Sequence, residues 1–510
     1  LTNMNSTLQH SNTPLLHHSF PIVWTIAGTD PGGGAGIQGD LKTMHALGVH
    51  GCSVITAVIA QNTRGVSCIE YPSIEIVEEQ LRSLREDLPP AAVKIGVVGR
   101  RDVVRAVIRT INDMAAPVVC DPVLSSSGGA SFLEPDALNA IRDELLPRMD
   151  LLTPNIPEAE ILLGHPIHNF SDTEQAAGEL LRMGARSVLI KGGHRDGSHS
   201  QDFWTDGRQR VWLTSEMMAH TGTHGTGCAL SSAVASALAL GWPMLDALVI
   251  AKAYVYQGIR TAPAIGHGRG PLAHGPWPLH PGDMPWITHT AEEGPPPSSF
   301  PSLENEAIGL YPIVDNAKQV DQLAVAGVRM IQIRIKQELN AGVERELRKA
   351  ITCASERGVR LFVNDHWKIA IEKGAYGVHL GQDDLAPDAL KEIREAGLRL
   401  GISTHSYSEI ARAWAYRPSY IAIGTVYRTP SKVMDYEPLG LDRFRKLCSI
   451  SPVPVVAIGG LKVENAADVL AAGASGVAVI SDLAEAKDLE KRVAEWRKVI
   501  TDVERVQRPC

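Results

Sequence analysis

Gly222-Thr223-His224-Gly225-Thr226-Gly227-Cys228 precede a run of small, apolar side chains from Ala229 to Leu240. A glycine-rich turn that opens a helix aims several backbone N–H groups and the positive end of the helix dipole at one point, which suits an anion. Cys228 sits where a proton acceptor or nucleophile would meet a phosphate. Gly225, Thr226, Gly227 and Cys228 are therefore candidate catalytic residues for phosphoryl transfer. The competing reading of this stretch alone is an ordinary helix start with a structural cysteine.

Other residues in the first half fit the same chemistry. The stretch from Ile26 to Asp40 leaves a strand, crosses a formal Gly-x-Gly-x-x-Gly at 34–39 and enters a helix. A dinucleotide site would need an acidic residue at the end of the second strand. That strand ends Ala60-Gln61-Asn62-Thr63, and a neutral amide suits a hydrogen-bonding heterocycle better. The chain has no Gly-x-x-x-x-Gly-Lys-Ser/Thr loop, which excludes a P-loop enzyme. Asp121-Pro122-Val123, Thr153-Pro154-Asn155-Ile156-Pro157-Glu158 and Lys191-Gly192-Gly193 each follow an apolar strand. Asn155 and Glu158, three apart at a helix start, can face one Mg²⁺ shell. Glu158 could equally be a first-turn acid complementing the helix dipole, and Lys191 alone reads as a solvated surface lysine.

Together these motifs resemble the ribokinase-like superfamily, and within it hydroxymethylpyrimidine and hydroxymethylpyrimidine-phosphate kinases, over about 21–275. The resemblance implies two successive phosphorylations by Mg·ATP, of 4-amino-5-hydroxymethyl-2-methylpyrimidine and then of its monophosphate. It implies that Gly28, Asp40 and Gln61 bind the pyrimidine and that Asn155 and Glu158 serve the metal. Lys191 and Lys252 would contact the nucleotide, and Gly225–Cys228 would form the anion hole. Cys228 stands where sugar kinases of this superfamily usually carry aspartate. As a thiol that a helix N-terminus can tune, it is the expected base for the hydroxymethyl oxygen. Gly33 and Gly39 stand where serine and alanine are common. A pyridoxal kinase remains the alternative, with Gln61 and Asp40 favouring the pyrimidine.

The second half offers a different set. Alternation along Gln332-Ile333-Arg334-Ile335-Lys336 puts Gln332, Arg334 and Lys336 on one side of a strand, toward an anion; a solvated rim is the other reading. Asp365 and Asp384, on neighbouring loops, could share a Mg²⁺. Gly459-Gly460 and Ile480-Ser481 follow the last two strands, where barrels often hold a phosphate. These motifs, with Thr429-Pro430-Ser431-Lys432 and Gly401-Ile402-Ser403-Thr404-His405, resemble thiamine-phosphate synthases over about 308–500. The resemblance implies joining the pyrimidine pyrophosphate to a thiazole phosphate. Pyrophosphate would leave first or early, and the thiazole nitrogen would then attack. Gln332, Arg334, Lys336, Asn364, Ser403 and Lys432 would hold the pyrimidine pyrophosphate. Asp365 and Asp384 would hold Mg²⁺, and Thr429, Ser431, Gly460, Ile480 and Ser481 the thiazole phosphate. His366 stands where arginine is frequent. The alternative is that one half is a degenerate ligand-binding module; retention of Cys228, Asp365 and Asp384 argues against it.

The elements that must carry these residues follow from hydrophobic patterning. At 510 residues the chain exceeds one core. Up to about 270, strands (Ile22–Ala27, Ser53–Ile59, Val118–Cys120, Leu151–Thr153, Val188–Ile190) alternate with helical patterns, predicting an α/β fold with an open αβα sheet. From 306 to 507, eight apolar runs about 20 residues apart predict a (β/α)₈ TIM barrel. Residues 271–305, rich in proline and without period, read as a linker, and residues 1–20 as a disordered leader. Hydrophobic residues are 44%, charged residues 21% and net charge -8, ordinary values that give no reason to expect nucleic acid or an anionic membrane as partner. Seven cysteines without a Cys-x-x-Cys pair suggest a reducing cytoplasm. The expected partners are small-molecule substrates and, by the resemblance, a second copy through the kinase half.

Overall fold

The computed structural model describes residues 20–507 except 126–128, 130, 194–196, 219–221, 279, 292–297, 304–307 and 430–436. Residues 1–19 of the expected leader lie outside the described residues, as do the candidate site residues Ser431 and Lys432.

The first half is built on a ten-stranded sheet. Its strands are β1 (Ile22–Gly28), β2 (His50–Asn62), β3 (Gly65–Glu70), β4 (Ala92–Ile95), β5 (Val118–Cys120), β6 (Leu151–Leu152), β7 (Val188–Ile190), β8 (His199–Thr205), β9 (Arg210–Glu216) and β10 (Trp286–Thr288). The spatial order is β10-β9-β8-β7-β6-β5-β4-β1-β2-β3. The inner strands β2-β1-β4-β5-β6-β7 pair in parallel. β1, β4 and β5 among them are short and almost wholly buried, as strands covered by helices on both faces must be. Both margins are antiparallel. Order reverses beside β1, between β2 and β4, and the carboxyl ends there are where an open sheet leaves a crevice. The alanine-rich helix Thr226–Ala239 is buried along most of its length and packs over β4, β5 and β1.

Part of the segment expected as a linker is folded. β10 joins the sheet antiparallel to β9. Asp283 receives a two-point hydrogen bond from Arg260 at 2.6 and 2.7 Å, and the carbonyl of Pro276 accepts from Gln257 at 2.9 Å. Further on, the Phe300 N–H and the Pro301 carbonyl bond to Arg417 and Ser419 of the second half. Proline density signals backbone that lacks donors, not backbone that lacks partners; the apolar triplet Trp286-Ile287-Thr288 was too short to stand out.

The second half is a closed, all-parallel barrel of β11 (Gly309–Val314), β12 (Met330–Ile333), β13 (Arg360–Asn364), β14 (Gly377–Leu380), β15 (Arg399–Thr404), β16 (Tyr420–Gly424), β17 (Val455–Ile458) and β18 (Gly476–Val479). β18 pairs with β11 to complete it. Eight strands closing a barrel are what the eight apolar runs predict. A fixed contact joins the halves: the Asp246 carboxylate, at the start of helix Met244–Arg260, accepts the Ser408 N–H in the first turn of barrel helix Tyr407–Trp414. Trp242 stands edge-on to Tyr407, centroids 4.9 Å apart. No described helix is long and apolar enough to cross a membrane.

Candidate active sites

At the carboxyl ends of the parallel strands lies a cavity of about 1140 Å³. That is large enough for a nucleotide and a second small substrate together. Gly28, Gln61, Asn155, Glu158, Lys191, Gly225, Thr226, Gly227, Cys228 and Lys252 all line it. Its floor is made by two loops that need glycine to touch. Gly225, at φ 83°, is the N-cap of helix Thr226–Ala239, and a Cβ there would lie 1.8 Å from the Gly34 carbonyl oxygen. Asp30 ties the same loops together. Its carboxylate accepts the N–H groups of Gly32, Gly34 and Ala35 at 2.9, 3.0 and 2.7 Å, and its Oδ2 lies 3.0 Å from His224 Nε2. Burial opposes ionisation of Asp30, but the His224 ring and these N–H groups hold its carboxyl below the usual range.

The basic residues are paired, Lys252 buried and Lys191 half-buried. Lys191 is not the solvated lysine its sequence context allowed. Its Nζ donates to Asp121 Oδ1 at 2.6 Å and lies 3.9 Å from Glu158 Oε2. Lys252 donates to Asp202 at 2.7 Å, and Asp202 also receives the Gly192 N–H that follows Lys191. Asn155 and Glu158 form a reciprocal capping box, each side chain accepting the other's N–H at 2.8 Å. Burial, with Asp121 nearby and against Lys191, pushes Glu158 up to about 7.

One expectation is corrected. Asp40 does not line the cavity. It is fully buried, and its oxygens accept from Thr25 at 2.5 Å, Lys94 at 2.8 Å and Ser232 at 2.8 Å. Buried and bonded in this way, the carboxylate is turned to the protein interior and not to the cavity. What it does is hold Lys94, which sequence reasoning missed, against the cavity wall. Cys228 lines the cavity as expected from its position at the helix start. Burial pushes its thiol up to about 11, although Lys94 and the Gly36 N–H act in the opposite sense. Desolvation of the thiolate outweighs tuning by the helix start.

The barrel's second cluster gathers at the carboxyl ends of its strands. Asp365 follows β13 with φ 61°, a left-handed conformation uncommon outside glycine that Asp tolerates better than most. Burial and the neighbouring Asp384 carboxylate raise its pKa, against Arg334. Two acids that repel each other, all hard oxygen donors, fit a divalent cation such as Mg²⁺. The buried Gln332 side chain leaves its Nε2 without a partner among the described residues, and Asn364 ends β13 beside Asp365. β12 ends at Ile333, so Arg334 and Lys336 lie in the loop beyond it and the expected strand alternation does not place them; Lys336 is exposed. Ser403 lies near the end of β15, its hydroxyl 2.9 Å from His379 Nε2, with burial pushing that imidazole down to about 3. Gly459 and Gly460 both take positive φ after β17, and a Cβ on Gly460 would meet the Arg428 carbonyl at 2.5 Å. Ile480 and Ser481 follow β18, Ser481 opening a short helix. Thr429 belongs to the loop after β16.

Comparison with known proteins matches both halves. Residues 30–273 match the phosphomethylpyrimidine kinase family and residues 310–483 the thiamine monophosphate synthase family. Over 98% of both chains, the sequence is 35% identical to an Arabidopsis thaliana protein named thiamine biosynthetic bifunctional enzyme, chloroplastic. It is 33% identical to a probable rice counterpart, over 95% of this chain and 90% of that one. Its first half is 44% identical to the hydroxymethylpyrimidine/phosphomethylpyrimidine kinase of Rhizobium meliloti, covering 50% of this chain and 96% of that one.

Proposed function

The chain belongs to the thiamine biosynthetic bifunctional enzymes, a pyrimidine kinase joined to a thiamine-phosphate synthase, and from that premise we propose how its residues divide the work. ATP phosphorylates the pyrimidine alcohol and then its monophosphate in the first half. The second half joins the resulting pyrophosphate to the thiazole phosphate.

In the kinase, Gly28 and Gln61 take the pyrimidine, Gln61 offering both a donor and an acceptor to its amine and ring nitrogens. Lys191 and Lys252 face the ATP phosphates, each oriented by its own carboxylate. The N–H groups at Gly225–Cys228 stabilise the charge on the transferring phosphoryl, the main contribution when the transition state is loose. Cys228 accepts the hydroxymethyl proton as thiolate, a form that Lys94 favours and burial opposes. Asn155 and Glu158 suit Mg²⁺ and its waters.

In the synthase, Gln332, Arg334, Lys336, Asn364, Ser403 and Lys432 hold the pyrimidine pyrophosphate. Thr429, Ser431, Gly460, Ile480 and Ser481 hold the thiazole phosphate. Asp365 and Asp384 would hold Mg²⁺, which when bound neutralises pyrophosphate charge. The thiazole nitrogen attacks through its own lone pair, so no residue need act as base. A homodimer through the kinase half and a cytoplasmic location are part of this proposal. Free cysteines, six among the described residues, support a reducing compartment.

The observation that carries the kinase reading is the convergence of Gln61, two paired lysines and the glycine-flanked Cys228 on one cavity. Lys191→Met and Gln61→Ala test it. The first should raise KM for ATP about tenfold and the second KM for the pyrimidine, each leaving the other constant within about twofold, since one lost polar contact is worth about 1–2 kcal/mol. Equal effects on both substrates would contradict the assignment.

A further inference from the structure

Behind Ser403 the barrel interior holds three buried polar groups, Tyr311, Tyr420 and His379, with no role in the reaction so far. Tyr311 of β11 and Tyr420 of β16 place their hydroxyl oxygens 2.7 Å apart. Tyr420 Oη lies 2.8 Å from His379 Nδ1, and His379 Nε2 lies 2.9 Å from Ser403 Oγ. The first three residues are buried, whereas Ser403 is exposed at the mouth. Tyr311 sits among Ile308, Ile313, Met330 and Phe362, and among the described residues its hydroxyl hydrogen-bonds Tyr420 alone.

Counting protons fixes the direction of this chain. Each hydroxyl has one proton to give, and a neutral imidazole has one N–H. Suppose the bonds ran inward, from Ser403 to His379 to Tyr420 to Tyr311. The Tyr311 proton would then end in an apolar cluster without an acceptor, at a cost of about 1–3 kcal/mol. An imidazolium, donating at both nitrogens, would strand a tyrosyl proton in the same way. Run outward, Tyr311 donates to Tyr420, Tyr420 donates to Nδ1, and Nε2–H donates to Ser403. Every buried proton is then satisfied, and the Ser403 proton is left for whatever occupies the mouth. The His379 carbonyl also accepts the Asp365 N–H at 3.1 Å, so the chain ends beside the acidic pair.

We propose that His379 is a positioning residue of the synthase: held as the Nε2–H tautomer by Tyr420 and Tyr311, it fixes Ser403 as a hydrogen-bond donor to an oxygen of the departing pyrophosphate. This rests on the synthase reading above. A donor aimed at the oxygen that gains charge as the carbon–oxygen bond breaks acts on kcat more than on KM.

The test uses the full chain, with its kinase activity as the internal control for folding. Ser403→Ala and His379→Leu should each lower synthase kcat about 10- to 100-fold. The double variant should be no slower than Ser403→Ala within about threefold, because His379 acts through Ser403. His379→Gln, whose amide can accept from Tyr420 and donate to Ser403, should stay within about fivefold of the unaltered chain. Losses that multiply, or a glutamine variant as slow as the leucine one, would overturn the proposal. Nitrogen-15 spectra of histidine-labelled free protein, with His379 identified by its loss in His379→Gln, give an independent readout. Nδ1 should be unprotonated, and a protonated Nδ1 overturns the proposal whatever the activity. Absence of synthase activity in the unaltered chain would instead defeat the synthase reading and leave the tautomer measurement standing.

Discussion

The two sites handle charge in opposite ways. In the kinase cavity each cation comes with its own buried carboxylate: Lys94 with Asp40, Lys191 with Asp121, Lys252 with Asp202. At the barrel mouth Asp365 and Asp384 face each other as like charges, and the Gln332 amide nitrogen is left without a partner among the described residues. The kinase is organised before its substrates arrive, at the cost of desolvating whole ion pairs. The synthase leaves its groups in tension for a ligand to relieve. Removing the cation of a fully buried ion pair should therefore strain the fold in the first site, whereas removing an acid should affect mainly the reaction in the second.

The largest effect should come from Cys228→Ala, which we expect to lower kinase kcat by roughly 10²–10⁴, the usual weight of a general base. Synthase activity on supplied pyrimidine pyrophosphate should hold within about twofold; steady-state assays of both activities in one preparation check this. Next, Lys94→Met leaves Asp40 buried without its cation and should destabilise the kinase half by about 3–5 kcal/mol, read by denaturant unfolding. Asp384→Ala removes half of the acidic pair, should cut synthase kcat roughly 100-fold, and should leave the midpoint of unfolding unchanged or slightly higher because a repulsion is lost. A midpoint falling as far as that of Lys94→Met would erase the contrast between the sites. The smallest effect concerns pH. With the Cys228 thiol raised to about 11, its thiolate is scarce at neutral pH and grows as pH rises. Alkylation of Cys228 by iodoacetamide at pH 8, followed by mass spectrometry, should be much slower than that of exposed Cys68 and should accelerate toward pH 11.

What the sequence made legible follows the same division. The barrel strands were readable because each is a short apolar run ending in a polar residue, repeated eight times. The glycine-flanked Cys228 was readable because only backbone without side chains lets its loop approach Gly34. Lys94 was not, because a lysine inside Ala92-Val93-Lys94-Ile95 looks like a break in a strand until its partner, 54 residues away, is known. Asp40, assigned to the pyrimidine by resemblance, is subject to the same blindness: the sequence does not say which of its oxygens are already taken by Thr25, Lys94 and Ser232. β8 and β9 are antiparallel and mixed in polarity, without the all-apolar signature of the inner strands, and β10 has only three residues. The His379 chain was hidden by distance, since its four residues come from β11, β14, β15 and β16.

The central claim is that one chain carries two chemically separate sites acting in sequence. It is tested most directly by following phosphorus-31 spectra of the full chain given the pyrimidine alcohol, thiazole phosphate, ATP and Mg²⁺. The unaltered chain should form thiamine phosphate, Asp384→Ala should accumulate the pyrimidine pyrophosphate, and Cys228→Ala should make neither until that pyrophosphate is added. Loss of both activities from either single substitution in folded protein would contradict the claim.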